Sequence, residues 1–196
     1  GAVLGDFPET ITFSDLRKKG APSSVYKCSA KQAALARKSG WKTILCAQDA
    51  MIDVSTWSTQ GAEKRQLRRA LKSFGTSALH ICEVRDTASL AEIAQKWARA
   101  SGGERGHSMG RFCPEYLRHQ RVFAAYVGAT PVAFVSFHTG DLWTLDLMRH
   151  AHLPSGAALP NGTLHALVHS GILAAIHDGA KRFSLAAVPA TALKSA

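Results

Sequence analysis

Residues 144–167 read TLDLMRHAHLPSGAALPNGTLHAL, and the fold turns on how this stretch is divided. A largely apolar run ends in Asp146, Arg149 and His150, passes through a Pro/Gly loop, and enters an almost wholly apolar helical segment. Strand, loop and helix in that order make the first half of a β–α–β unit, and RFSLAAV at 182–188 supplies the second strand. A purely structural strand has no use for three ionisable groups near its end. In a regular strand Asp146, Met148 and His150 share one face, and Leu145, Leu147 and Arg149 share the other. Asp146 is flanked by two leucines, where burial is costly without a partner. A structural ion pair between Asp146 and Arg149 requires the strand to end or bulge near Met148. Such a bulge would splay the sheet and open a cleft there.

Upstream, RVFAAYVGATPVAFVSFHTG (121–140) places two apolar runs around a short Gly-containing turn, a hairpin signal. Downstream, the helix is expected over Thr163–Asp178, capped by Asn161 or Thr163, with first-turn N–H groups suited to an anion or a developing oxyanion. His165 and His169 have the i, i+4 spacing of a two-histidine metal site. The glutamate of H-E-x-x-H and a third ligand are missing, so packing is expected there and no metal. In the first half, AVLGD and SSVYKC read as short strands around a helical segment at Phe13–Lys19. A helix runs from Ser29 to Gly40, WKTILCA and AMIDVSTW are strand-like, and helices follow at Glu63–Phe74 and Ala88–Ala100. The glycine-rich ASGGERGHSMGRF (100–112) is the best internal boundary, with His107 read as a loop residue. The whole is mixed α/β.

The 196 residues suffice for one ordinary domain or two small apposed ones, and 46% hydrophobic with 19% charged residues is a globular composition. A net charge of +10 and a pI near 9.8 point to a polyanionic partner, nucleic acid or an anionic membrane surface. The charge clusters in EKRQLRRALKSF (63–74). On a helix Lys64, Arg65, Arg68, Arg69 and Lys72 fall within an arc of roughly 140°, opposite Leu67, Ala70, Leu71 and Phe74. An ordinary solvated face is the usual meaning of such a run, but five cations beside Glu63 alone repel one another, and phosphates opposite would relieve that. Cys28, Cys46, Cys82 and Cys113 form no C-x-x-C pair and are expected as buried thiols in a reducing compartment. No apolar run approaches the length of a membrane span and no signal peptide is legible, so the chain is expected to be soluble, either by itself or as part of a membrane protein.

These pieces, taken in order, resemble the catalytic domain of the phosphatidylglycerol lysyltransferase (multiple peptide resistance) family. AMIDVSTWSTQGAEKRQLRRALK is similar to the family's strand and arginine-rich helix, and ERGHSMGRFCPEYL to its G-F-S-x-G-R-F…Y-L segment. VAFVSF, LDLMRH, PNGT and KRFSLAAVP follow. The likeness runs from about Trp41 to Pro189, and the combination of SMGRF, DLMRH and PNGT is what makes it specific. It implies tandem acetyltransferase-like (GNAT) units with mixed, largely antiparallel sheets flanked by helices: a first, partial unit over 1–103 carrying the basic helix, and a second, catalytic unit over 104–196. It also implies transfer of a lysyl or similar aminoacyl group from aminoacyl-tRNA to a hydroxyl of phosphatidylglycerol, at the cytoplasmic face of the membrane and without a cofactor. A membrane-spanning part would lie upstream of the chain.

Carried over, Asp146 handles the substrate ammonium or proton transfer. Arg149 holds phosphate or stabilises an oxyanion. Ser108, Arg111, His150, Asn161 and Thr163 bound the substrate, and the five cations of the basic helix meet tRNA phosphate. The chain departs from the family at His107, where an aromatic residue is usual, and at His165, where an acid is. Its loop AHLPSGAAL is longer, and the family's basic C-terminal segment does not follow the last strand, as expected of a truncated chain, of a segment belonging to a part not included, or of a diverged relative. Two other readings compete. An acetyl-CoA-dependent GNAT enzyme would present Q/R-x-x-G-x-G/A before the helix, which LPNGTLHA lacks. A non-catalytic module binding tRNA or anionic lipid would keep the fold without turnover. No Ser-His-Asp or G-x-S-x-G signature supports a hydrolase.

Overall fold

The computed structural model describes residues 2–4, 13–18, 24–26, 28–104 and 110–195. In chain order the elements are β1 (Ala2–Leu4), α1 (Phe13–Lys18), β2 (Ser24–Tyr26), α2 (Ala30–Lys38), β3 (Ile44–Asp53), α3 (Arg65–Gly75), β4 (Leu79–Glu83), α4 (Ala91–Ala100), α5 (Pro114–Leu117), β5 (Arg121–Val127), β6 (Thr130–His138), β7 (Leu142–His150), α6 (Thr163–His177) and β8 (Arg182–Ser195). Short 3-10 turns at Val54–Thr56 and Thr87–Leu90 precede α3 and α4. The two strand-like segments expected around residues 41–57 are one continuous strand, β3. Two short elements, β4 and α5, had no sequence counterpart.

The chain packs as two compact units, residues 1–49 with 187–196, and residues 50–186. The expected boundary at 103/104 falls inside the second. In the first unit β1 and β2 pair in parallel, Phe13 meets the Trp41 ring edge-on at 5.5 Å, and the Ser29 hydroxyl caps α2 by accepting the Gln32 N–H.

The main sheet has the order β3-β8-β7-β6-β5-β4. Pairing is antiparallel from β4 through β7 and parallel between β7 and β8, the crossover being α6. The β5–β6 hairpin closes on Gly128 and Ala129, with Gly128 at φ 55. Pro131 of β6 pairs with Tyr126 beside a one-residue slip of the ladder, an irregular position of the kind that tolerates proline. Phe123, Val135, Phe137, Trp143 and Phe183 form one core with Leu167 and Ile172 of α6, while Phe134, Val122 and Ala124 form another with Ile93 and Ala94 of α4. Arg121 fastens the edge by pairing with Glu83 of β4 and with Asp178 just after α6. Three of the thiols are not deeply buried: Cys82 lies exposed on β4, an edge strand among the described residues, and Cys28 and Cys113 are half-buried, while the Cys46 side chain lies outside the described residues. No helix among the described residues is long and apolar enough to cross a membrane.

Candidate functional site

The site grows from an irregularity in β7. Val135 of β6 lies opposite Met148, and Phe137 opposite Leu145, so two steps along β6 face three along β7. The extra residue is absorbed at Asp146 and Leu147, whose N–H reaches the Ser136 hydroxyl at 3.2 Å. The regular alternation expected for this strand is therefore broken. Leu145 joins the core against α6 and Leu147 the core against α4. A Cβ built on Gly110 would lie 2.5 Å from Asp146 Oδ1 and 2.7 Å from Leu147 Cδ2, so these consecutive side chains both turn toward Gly110. The ladder between β7 and β8 ends at Thr144 and Ser184, just short of the bulge. Two residues on, β8 kinks at Ala186, whose φ of 68 is in the left-handed region.

Asp146 is only 13% exposed, and its Oδ2 accepts the Gln120 amide N–H at 2.8 Å. The same oxygen is 3.8 Å from His138 Nε2 at the end of β6. His138 Nε2 lies 3.0 Å from the Tyr116 hydroxyl and 3.4 Å from Gln120 Nε2. Partial burial and the negative charge of Asp146 raise the Tyr116 pKa, keeping its phenol protonated. Gln120 Oε1 is buried and has no hydrogen-bond partner among the described residues.

Arg149 occupies the other side of Gly110. It is 2% exposed, with its guanidinium 3.6 Å from the centroid of Trp97 on α4. Its Nη2 donates to the Gly110 carbonyl at 3.0 Å and its Nη1 to the Met148 carbonyl at 3.2 Å, and Glu104 Oε2 is 3.8 Å away. Burial lowers its pKa while the charges of Glu104 and Asp146 oppose that shift, and a guanidinium stays protonated regardless. Asp146 and Arg149 are thus brought to one residue, Gly110, without a direct salt bridge between them.

The other expected residues are placed differently. Ser108 and His107 lie outside the described residues, and Arg111 is exposed beside Gly110. His150 is exposed opposite Ala133, and Asn161 is exposed in the turn before α6. Neither Asn161 nor Thr163 caps that helix. Gly162 holds the N-cap position at φ 88, and the buried Thr163 hydroxyl donates back to the Pro160 carbonyl at 2.7 Å. His169 packs half-buried against Trp57, which lowers its pKa, while His165 is exposed. The basic face of α3 also divides. Arg68 Nη1 donates to the carbonyls of Thr59 and Gly61, each at 2.7 Å, and Lys64 lies 5.1 Å above the Trp57 ring. Arg65, Arg69 and Lys72 remain exposed in one stripe.

Gln120, His138, Tyr116, Gly110, Trp97 and Glu104 were not among the expected site residues. Two of them had a faint signal. Period-2 alternation through Phe134, Ser136 and His138 puts two polar residues on an otherwise apolar strand face, and Tyr116 belongs to the quoted Y-L pair.

The profile of a family described as "Phosphatidylglycerol lysyltransferase, C-terminal" matches residues 10–196. A phosphatidylglycerol lysyltransferase of Bacillus subtilis (strain 168) is 26% identical over 209 residues, covering 95% of this chain. The chain spans 23% of that relative's length. Among solved structures, the C-terminal domain of a protein assigned as a lysylphosphatidylglycerol synthetase from Agrobacterium fabrum matches 97% of this chain and 65% of its own, with a TM-score of 0.79 at 21% identity. The structure of L-PGS from Bacillus licheniformis matches 97% and 62%, with a TM-score of 0.78 at 19% identity. These two likenesses bear on the fold, a mixed six-stranded sheet flanked by helices, whereas the profile match over nearly the whole length decides descent: the chain belongs to the phosphatidylglycerol lysyltransferase C-terminal family.

Proposed function

We propose that the chain is a lipid aminoacyltransferase that moves a lysyl or similar aminoacyl group from aminoacyl-tRNA to a hydroxyl of phosphatidylglycerol at the cytoplasmic face of the membrane. The observation that carries this reading is the pairing of a shielded carboxylate and a buried guanidinium about Gly110. An aminoacyl ester is already activated, so the protein has mainly to position it and to handle charge and protons. The acceptor oxygen forms a new ester bond to the carbonyl carbon, the bond to the ribose oxygen breaks, and the acceptor's proton ends on the ribose oxygen. Asp146 is assigned to the substrate ammonium or to that proton transfer. Arg149 is too enclosed to grip a phosphate in this arrangement, so it lends its positive charge from behind Gly110 to the developing oxyanion. Arg111, exposed beside Gly110, is assigned to the acyl group, and the resemblance assigns Ser108 to it as well. The stripe of Arg65, Arg69 and Lys72 meets the tRNA backbone.

The test supplies radiolabelled aminoacyl-tRNAs and phosphatidylglycerol vesicles to this chain and to Asp146→Ala. Label entering lipid, and lost in the variant, supports the assignment and identifies the amino acid. Salt-sensitive tRNA binding with no labelled lipid would replace it with a binding module.

A further inference from the structure

We propose that Tyr116 and His138 form the proton relay of this reaction, with His138 Nε2 as the terminal base and Asp146 as the charge that stabilises the imidazolium. The inference rests on the aminoacyl-transfer reading above and deepens it. It begins with hydrogen-bond polarity. Two side-chain donors approach His138 Nε2: the Tyr116 hydroxyl at 3.0 Å and, more distantly, the Gln120 amide nitrogen at 3.4 Å. An amide NH2 can only donate, and a protonated phenol beside an imidazole lone pair donates as well. Nε2 is therefore held as an acceptor, which places the neutral ring's proton on Nδ1.

Asp146 is the competing base, and three features disfavour it. Its Oδ2 already accepts the Gln120 N–H, it is 13% exposed against 45% for the His138 side chain, and a carboxylate is a weaker base than an imidazole. At 3.8 Å from Nε2, Asp146 Oδ2 stands where a positive charge appearing on the ring would be stabilised. Gln120 fixes the carboxylate and tilts the pair toward that arrangement. Tyr116 and Asp146 are the titratable groups that face the imidazole among the described residues.

The step balances. As the acceptor oxygen bonds to the aminoacyl carbonyl carbon, its proton passes to Tyr116 Oη while the Tyr116 proton passes to His138 Nε2. Collapse of the tetrahedral intermediate breaks the bond to the ribose oxygen, and the proton returns along the same path to that oxygen. No other reactant is consumed. An amine nucleophile attacks without prior loss of a proton, and its adduct carries a surplus N–H proton that can pass directly to the departing ribose oxygen, so neither job of the relay is required.

That difference supplies the test. The chain, His138→Gln and Tyr116→Phe are assayed with labelled aminoacyl-tRNA against two acceptors, phosphatidylglycerol vesicles and hydroxylamine, subtracting the uncatalysed hydroxamate. Both substituted side chains reach the surface, and matched thermal melts check the fold. Each variant is expected to lose about 10²-fold in lipid kcat while keeping hydroxamate formation within roughly threefold of the unsubstituted chain. Lipid transfer unchanged in His138→Gln overturns the relay with aminoacyl transfer intact. Equal loss with both acceptors also overturns it, because the residues then position the donor. Absence of labelled lipid from the unsubstituted chain with every aminoacyl-tRNA defeats the transfer reading itself, and the relay with it.

Discussion

Gly110 has no room for a side chain, because Asp146 Oδ1 and Leu147 Cδ2 already occupy the space a Cβ would take. Its backbone lies outside the left-handed region, so the demand is for space alone. Gly110→Ala should therefore push the Asp146 carboxylate out of line and press on the fully buried Leu147 of the core against α4. Misplacing a reacting group by about 1 Å can cost on the order of 10²-fold in rate, so transfer is expected to fall at least tenfold, alongside a stability loss of about 1–3 kcal/mol from overpacking Leu147. Activity retained in this variant would show that Asp146 needs no exact placement. Arg149 gives a second prediction, about stability. A lysine at 149 loses the planar stack on Trp97 and cannot serve the Gly110 and Met148 carbonyls from one rigid fork. Arg149→Lys should cost roughly 2–3 kcal/mol in urea unfolding. The sequence marked Asp146 through its cost of burial, and Arg149 through a possible ion pair with it and through the family resemblance. It left Gln120 and His138 unmarked, because residues 18 to 26 positions apart meet only once strand register is known.

Element by element, what was legible followed periodicity, and what was not followed close approach between elements. The hairpin, the third strand and α6 stand where their patterns put them, since each buries a face long enough to read. The continuity of β3 was hidden because polar residues interrupt its apolar run, and β4 because five residues of edge strand carry little pattern. The bulge in β7 was legible only as a condition, that Asp146 and Arg149 could share a site if the strand were irregular. Its actual position depends on Ser136 across the ladder. One glycine of α6 and the glycine at its N-cap show how such approaches act. Gly171 faces the Phe137 ring, where a Cβ would lie 2.4 Å from Cε2. Alanine would gain up to about 1 kcal/mol in helix propensity, but overpacking costs about 1–3 kcal/mol. Phe137 is fully buried among Phe123, Trp143 and Phe183 and cannot swing aside, so the cost wins. Gly162 is more constrained, combining φ 88 with a Cβ position 1.9 Å from the Ala70 carbonyl oxygen of α3. Gly162→Ala should destabilise by about 3 kcal/mol or more, ahead of Gly171→Ala at about 1–2 kcal/mol. Chemical denaturation that reversed this order would mean α3 gives way more easily than Phe137.

For the whole molecule, the question is where an excess of ten positive charges goes. Many cations are committed locally: Arg121 to Glu83 and Asp178, Lys96 to Glu92, Arg118 to Glu115, Lys181 to Asp141, and Arg149 to its buried site. On α3, Arg68 serves backbone carbonyls and Lys64 covers Trp57, so the five-cation face read from the sequence is a three-cation stripe with two structural neighbours. Helical geometry could place all five on one side but could not tell which would be drawn into the loop at 57–61. Arg65, Arg69 and Lys72 make no ion pair with any described residue, and they recur at steps of four and three, one above another along α3. In the proposed contact with tRNA, their mutual repulsion would fall as phosphates approach, each contact releasing counterions. Replacing all three with glutamine should weaken tRNA binding and reduce the magnitude of the slope of log K against log salt by about 2–3, at roughly 0.7–0.9 per phosphate contact. Arg68→Gln should instead act on stability, with little change in that slope. Binding isotherms over a salt series with both variants separate the two roles. An unchanged slope in the triple variant would move the tRNA to another face of the protein.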